Sequence, residues 1–202
     1  IVDSGTTEVT AKTWGYVTGI SQSLGDQMCA VLDDSTARCW GVNTNGELGQ
    51  GSTNNLGDGA NEMGSNLTAI SLGTGRTALS LAGGNGHTCA RLDNSTVKCW
   101  GVNSNGELGQ GSVTTLGDGA NEMGDNLTAI SLGTGRTAPA LAAGYNHSCA
   151  LLDNSTVKCW GDGAFGCDWK VWDVPLFQYA RPFGYPCARG GAGRRKGWTE
   201  LG

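Results

Sequence analysis

Residues 87–111 read His-Thr-Cys-Ala-Arg-Leu-Asp-Asn-Ser-Thr-Val-Lys-Cys-Trp-Gly-Val-Asn-Ser-Asn-Gly-Glu-Leu-Gly-Gln-Gly, and most of this stretch returns twice. Cys29, Cys89 and Cys149 fall 60 residues apart, as do Trp40, Trp100 and Trp160. Laid over 89–148, residues 29–88 agree at 45 of 60 positions. A third unit opens at Cys149 and keeps the pattern to Gly161, where it stops. Before Cys29 the match is loose: Asp26-Gln27-Met28 stands where Gly86-His87-Thr88 and Asn146-His147-Ser148 stand later. A fixed period of this kind marks stacked repeats, in which each unit buries its apolar face only against its neighbours. The chain therefore divides into repeats over 1–161 (about 1–75, 76–135 and a partial 136–161) and a non-repeat segment over 162–202.

Composition agrees with short strands joined by tight turns. Of 202 residues 35 are glycine and only 15% are charged, against roughly 7% and 25% in ordinary domains. Glycine costs a helix about 1 kcal/mol per residue relative to alanine, so helices are disfavoured throughout. The net charge of −5 argues against a nucleic-acid partner, because phosphate binding needs a basic surface. No apolar run is long enough to span a membrane as a helix. The chain opens on Ile1 with no signal-like stretch, so the true N-terminus and any targeting segment are expected to lie outside it.

Each unit predicts four strands, which in the middle unit are 79–83, 87–92, 96–101 and 127–132. The second and third form a hairpin around Asp93-Asn94-Ser95, and Gly-rich turns follow at 105–111 and 117–119. In the hairpin Ala90, Leu92, Lys98 and Trp100 share one face, and Cys89, Arg91, Val97 and Cys99 the other. Both faces are mixed but mostly apolar, as a sheet covered on both sides requires. The expected fold is all-β: a partial β-propeller of about three blades of four antiparallel strands, with an irregular C-terminal tail.

The repeated His-Thr-Cys-Ala-x-Leu-Asp-Asn-Ser-Thr-Val-Lys-Cys-Trp-Gly, followed by Asn-Gly-Glu-Leu-Gly-Gln-Gly, resembles the regulator of chromosome condensation repeat over roughly 17–161. The resemblance implies a propeller, usually of seven blades. It also implies a spread of functions: nucleotide exchange on a small GTPase, chromatin or ubiquitin-ligase modules, β-lactamase inhibition and ultraviolet-B reception. A fold so widely used fixes no single function. One departure stands out, since the family usually has glycine where Ser35, Ser95 and Ser155 stand here. If that turn position is left-handed, serine is strained there.

The cysteines form three Cys-x9-Cys pairs, Cys29/Cys39, Cys89/Cys99 and Cys149/Cys159. A three-residue hairpin loop sets Leu32 opposite Thr36, and counting outward sets Cys29 opposite Cys39. If 32/36 is the hydrogen-bonded closing pair, 29/39 falls at a non-hydrogen-bonded position, where side chains approach most closely. Cross-strand disulfides are the favoured reading, and buried free thiols the alternative. Zinc is disfavoured, because its cysteines usually pair two to four residues apart. Oxidised pairs would place the protein outside the cell or in the secretory pathway; free thiols would place it in the cytoplasm or nucleus.

Several residues invite a functional reading. His87 and His147 precede a hydroxyl residue, but no base, nucleophile and third group converge on them, so a turn-stabilising hydrogen bond is expected. Trp40, Trp100 and Trp160 could mimic the photoreceptor's chromophore array; packing at a strand end is the favoured role. The segments 73–77 and 133–137 (Gly-Thr-Gly-Arg-Thr) lack phosphate-loop spacing and read as turns. Asp118, Asn121, Glu122 and Asp125 do not follow EF-hand spacing, so no metal and no cofactor is expected. Glu62 and Glu122 could pair with Arg76 and Arg136. Asn66, Asn94, Asn126, Asn146 and Asn154 lie in Asn-x-Ser/Thr sequons, weak evidence of glycosylation in an Asn-rich chain.

The segment 162–202 holds all three phenylalanines, three of four prolines, three of seven tryptophans and the basic Gly193-Arg-Arg-Lys-Gly. It reads either as a private cap for the last blade or as the product of a truncated or frame-shifted gene. The expected function is non-catalytic protein binding through blade loops, with Asp58, Asn61 and Glu62 and their counterparts Asp118, Asn121 and Glu122 as candidate contacts. Guanine-nucleotide exchange on a small GTPase and a secreted or cell-surface binding role are the alternatives. An incomplete propeller would also leave apolar sheet faces uncovered and self-associate.

Overall fold

The computed structural model describes residues 15–162 apart from residue 22. The segment 162–202, with its two readings, lies outside the described residues except for Asp162. Nine strands form three antiparallel sheets, each of three strands in sequence order. The first sheet holds β1 (Val17–Ile20), β2 (Gln27–Leu32) and β3 (Ala37–Gly41); the second holds β4 (Ala78–Gly83), β5 (His87–Leu92) and β6 (Val97–Gly101); the third holds β7 (Ala140–Ala143), β8 (His147–Leu151) and β9 (Val157–Gly161). The only helical residues described are two single 3-10 turns at Gly64–Asn66 and Gly124–Asn126.

The hairpins close as their loop chemistry dictates. Leu32 N donates to Thr36 O at 2.9 Å and Ser35 N to Leu32 O at 2.9 Å, the pattern of a type I turn ending in a left-handed residue. That residue is serine each time, with φ of 61° at Ser35, 63° at Ser95 and 65° at Ser155. The register that follows pairs Cys29 with Cys39, Cys89 with Cys99 and Cys149 with Cys159. Each pair has Cα atoms 4.1 Å apart and its sulfurs at disulfide distance.

The sheets stack face to face. Ala90, Leu92 and Trp100 of the middle sheet join Cys29, Val31, Ala37 and Cys39 of the first in one core. Its opposite face, Cys89, Val97 and Cys99, meets Ala150, Leu152 and Trp160 of the third in another. The two faces read from the alternation of the hairpin are thus the two sides of one blade, covered by different neighbours. Every residue of β6 is buried, whereas β1 and β7 carry mostly exposed or half-buried positions.

The architecture differs from expectation in the fourth strand. Residues 127–132 are extended beside β6, but one backbone bond, Ile130 N to Val97 O at 2.8 Å, does not make a ladder. Leu127, Ile130 and Leu132 are buried all the same, so apolar side chains hold the segment and not strand pairing. The preceding unit repeats that single bond, Ile70 N to Ala37 O at 2.8 Å, and its Leu72 carbonyl also accepts from the Lys98 ammonium of the next unit at 2.9 Å. A carbonyl capped by a neighbouring lysine has no need of a strand partner.

Candidate interaction surface

The turn Asn-Gly-Glu-Leu-Gly-Gln-Gly is where one unit meets the next. Asn43 orders it: its Oδ1 accepts from Leu48 N at 2.9 Å, and its Nδ2 donates to Ser52 O and Asn54 O at 2.8 Å each. The Glu47 carboxylate accepts from Asn45 N at 2.7 Å. So folded, the turn aims the Glu47 carbonyl at the next sheet, where it accepts from Trp100 Nε1 at 2.9 Å and Thr88 Oγ1 at 3.0 Å. The next junction repeats this: Glu107 O accepts from Trp160 Nε1 at 2.8 Å and Ser148 Oγ at 3.2 Å. Close approach explains the glycine, since a Cβ on Gly49 would stand 2.8 Å from Trp100 Nε1. Trp100 and Trp160 are thereby packing residues that also donate a buried hydrogen bond.

His87 sits in the same seam. It is fully buried, and its Nε2 lies 2.9 Å from Ser148 Oγ of the following unit. Its bond therefore joins two units and does not stay within a turn. Burial pushes its pKa down to about 4, with Glu107 opposing and His147 adding to the fall. Gln27 holds the corresponding place in the first unit and donates to Gly84 O at 2.9 Å and His87 O at 3.2 Å.

The identical loops 56–64 and 116–124 are built around their glutamates. Glu62 Oε2 accepts from Gly57 N at 2.8 Å and Gly59 N at 2.7 Å; Glu122 Oε2 accepts from Gly117 N and Gly119 N at 2.8 Å each. The Gly59 amide, followed by that of Gly57, holds the Glu62 carboxyl below its ordinary range. Burial works against the Glu122 carboxylate, yet the Gly119 and Gly117 amides outweigh it and keep that carboxyl low too. Burial, and the Glu122 carboxylate beside it, raise Asp118. The expected pairing with arginine does not form, because the loop's own amides lie nearer. Arg76 instead meets Asp93 at 3.4 Å and Arg136 meets Asp153 at 3.5 Å. The 73–77 segment is a turn closed by Arg76 N to Gly73 O at 3.0 Å.

The two loops share a sequence and differ in surroundings. In the first, Gly57 to Asn61 are all exposed; in the second, Gly117 is buried and Asp118 and Gly119 are half-buried. The second loop rests on the 45–51 turn of the preceding unit, where Gly51 N donates to Gly117 O at 3.0 Å. Of the candidate contacts, Asp58 and Asn61 face solvent, Asn121 is exposed at the far side of its loop, and Glu62 and Glu122 serve as internal braces. Among the described residues no three His, Cys, Asp or Glu side chains are placed to hold a metal ion.

The sequence reading missed a groove of about 730 Å³ at the outer edge of the third sheet. It is lined by Gly109, Gly111, Ile130, Ser131, Lys158 and Trp160, among others. The signal for it was the break in the repeat after Gly161: the residues that would cover this edge in register are missing from the pattern.

Comparison with known proteins finds a repeat model that matches part of the chain. The model of the regulator of chromosome condensation repeat matches residues 79–107 and 140–167. Among solved structures, human WBSCR16 superposes with a TM-score of 0.57 at 19% identity, covering 75% of this chain and 36% of that one. Prp20p from Saccharomyces cerevisiae gives 0.51 at 21% identity, covering 72% and 32%. The yeast protein in its structure with Kap60 gives 0.53 at 20% identity, covering 79% and 36%. The chain thus spans about a third of the length of the structures it matches, and the likeness establishes the fold: an arc of propeller blades.

Proposed function

We propose that this chain, whose repeats match the model of the regulator of chromosome condensation repeat, is a non-catalytic protein-interaction module that binds through its blade loops. The observation that carries this reading is the loop sequence seen in two settings. At 116–124 it already docks on a protein surface, that of the preceding unit; at 56–64 the same braced loop is exposed from Gly57 to Asn61 among the described residues, Asp58 and Asn61 included. Binding residues concentrate on loops that a rigid scaffold holds in place. The cross-strand cysteine pairs support an oxidising compartment, outside the cell or in the secretory pathway. Photo-crosslinkers at positions 58 and 61 test the reading in the native source: they should trap a discrete partner, while one at Asn154 on the hairpin tip should not. Equal labelling from all three positions would refute it. Guanine-nucleotide exchange is the second reading, favoured by the fold shared with Prp20p, which has binding properties toward Gsp1p and histones. Accelerated nucleotide release from a panel of small GTPases would establish exchange in place of simple binding.

A further inference from the structure

The three hairpin tips share one turn and differ in one functional group. In each, the central loop residue holds the residue two places on through its side-chain Oδ1. Asn94 Oδ1 accepts from Thr96 N at 3.2 Å and from Thr96 Oγ1 at 2.7 Å, and Asn154 Oδ1 accepts from Thr156 N and Oγ1 at the same distances. Asp34 makes the same two bonds to Thr36, at 2.9 Å and 2.7 Å, with a carboxylate in place of the amide. Asp34, Asn94 and Asn154 are all exposed among the described residues. Both bonds fall on the oxygen, so the turn makes no use of the amide nitrogen of Asn94 or Asn154.

The other three Asn-x-Ser/Thr sites are built differently. Asn66 and Asn126 end 3-10 turns, and their Nδ2 atoms donate to Asn61 O at 2.8 Å and Asn121 O at 2.9 Å. The residue after each, Leu67 or Leu127, is buried. At Asn146 the third residue is Ser148, whose buried hydroxyl already serves His87 and the Glu107 carbonyl in the seam.

An amide nitrogen is a poor nucleophile because its lone pair is delocalised into the carbonyl. Two donors on Oδ1 stabilise the imidate form, in which charge rests on oxygen and the nitrogen, having shed a proton, keeps a lone pair for attack. We propose that Asn94 and Asn154 carry N-linked oligosaccharides, while Asn66, Asn126 and Asn146 carry none. The inference rests on the oxidising-compartment reading of the cysteine pairs. The donor is a lipid-linked pyrophosphate oligosaccharide: an Nδ2–C1 bond forms, the C1–O bond to phosphate breaks, the amide gives up one proton and the lipid pyrophosphate leaves. A hairpin closes in about 1–10 μs while synthesis adds about 5–20 residues per second, so the turn is present before the next unit exists. The product keeps both turn bonds, since they fall on the oxygen. Leu56 and Leu116 bridge to Gly41 and Gly101, at the ends of β3 and β6 away from the tips. The sugars are therefore attached at the opposite end of the blade from where the 56–64 and 116–124 loops begin.

The test is made on the full chain from its native source. Its tryptic peptides are treated with a glycopeptide amidase in heavy-oxygen water, which leaves a labelled aspartate wherever a sugar was attached. A sample without enzyme corrects for spontaneous deamidation. Label is expected at Asn94 and Asn154 and not at Asn66, Asn126 or Asn146. Asp34→Asn, which copies the later tips, should gain one further step in mass that the same amidase removes. Unlabelled Asn94 and Asn154 would overturn the proposal. Thiol titration of the same sample then separates the two readings: oxidised pairs leave the compartment reading standing, and reduced pairs remove it as well. Labelling at Asn66, Asn126 or Asn146 as strong as at the tips would overturn the proposal too, as would an Asp34→Asn chain that gains no sugar.

Discussion

The three hairpin serines offer a direct measure of backbone strain. Ser35, Ser95 and Ser155 hold φ between 61° and 65°, a region that costs an L-residue roughly 1–2 kcal/mol. The turn's order comes from elsewhere: Asp34 Oδ1 accepts from Thr36 N at 2.9 Å and Thr36 Oγ1 at 2.7 Å, and Asn94 and Asn154 do the same in their units. Replacing serine by glycine removes the strain, and the greater freedom of glycine in the unfolded chain returns about 0.5–1 kcal/mol of that gain. The net stabilisation is about 0.5 kcal/mol per site, and separated sites add, giving about 1.5 kcal/mol for the triple variant. For a chain of this size that corresponds to a rise of about 3–6 °C in Tm. The assay is thermal unfolding under oxidising conditions, with Ser95→Ala as control, because alanine removes the hydroxyl and keeps the strain. A triple glycine variant melting at or below wild type would refute the reasoning, as would a Ser95→Ala variant gaining as much as Ser95→Gly.

Other outcomes follow from the seams between units. Thiol titration of the denatured, non-reduced chain should find at most two of the eight cysteines free, namely Cys167 and Cys187; six or more would show that the pairs are reduced. Each pair closes a loop of sequence separation 10, and should contribute about 2–3 kcal/mol, read as lost stability after reduction. His87 is held neutral in the fold near pKa 4, whereas the unfolded histidine takes up a proton near pH 6.5. Its contribution is therefore complete above pH 6.5 and lost as pH falls toward 4, about 3 kcal/mol in all. His87→Gln, which copies Gln27, should flatten that slope in urea titrations, and an unchanged slope would remove His87 as its source. Replacing Asn103 by alanine strips the donors and acceptor that order the second turn, and should cost about 3 kcal/mol in the same assay. In hydrogen exchange, amides of β5 and β6 should be the slowest, because among the described residues the middle sheet alone is covered on both faces.

What could be read in advance was whatever a single unit determines by itself. The register of Cys89 against Cys99 follows from the length of the 93–95 loop, and the left-handed serine was signalled by the glycine that the resembled repeat usually carries there. The two faces of β5 and β6 follow from alternation. What could not be read depends on stacking. Nothing in the residue types says that the Glu47 carbonyl will take hydrogen bonds from Trp100 and Thr88, since any backbone carbonyl could. Glu62 looked like a partner for Arg76 because opposite charges attract at any range; two amides in its own loop reach it first. Residues 127–132 looked like a strand because their apolar spacing suits one, yet that spacing serves burial and leaves the backbone almost unpaired. The groove beside Trp160 was foreshadowed only by the place where the repeat ends.

The junction between the 45–51 turn and the 116–124 loop also bears on how such a chain could lengthen. Within each 60-residue period the turn comes before the loop, and the 116–124 loop rests on the turn of the period before it. A tandem duplication of any 60-residue window therefore restores every junction, wherever in the period the copied segment happens to begin. No new surface has to arise for the extra unit to fit, and a copy that drifts in either half of the junction loses its hold on one neighbour. Growth by copying is thus nearly free of structural penalty, while independent divergence of single units is opposed. The 45 of 60 identities between successive units are the pattern such a selective pressure would leave.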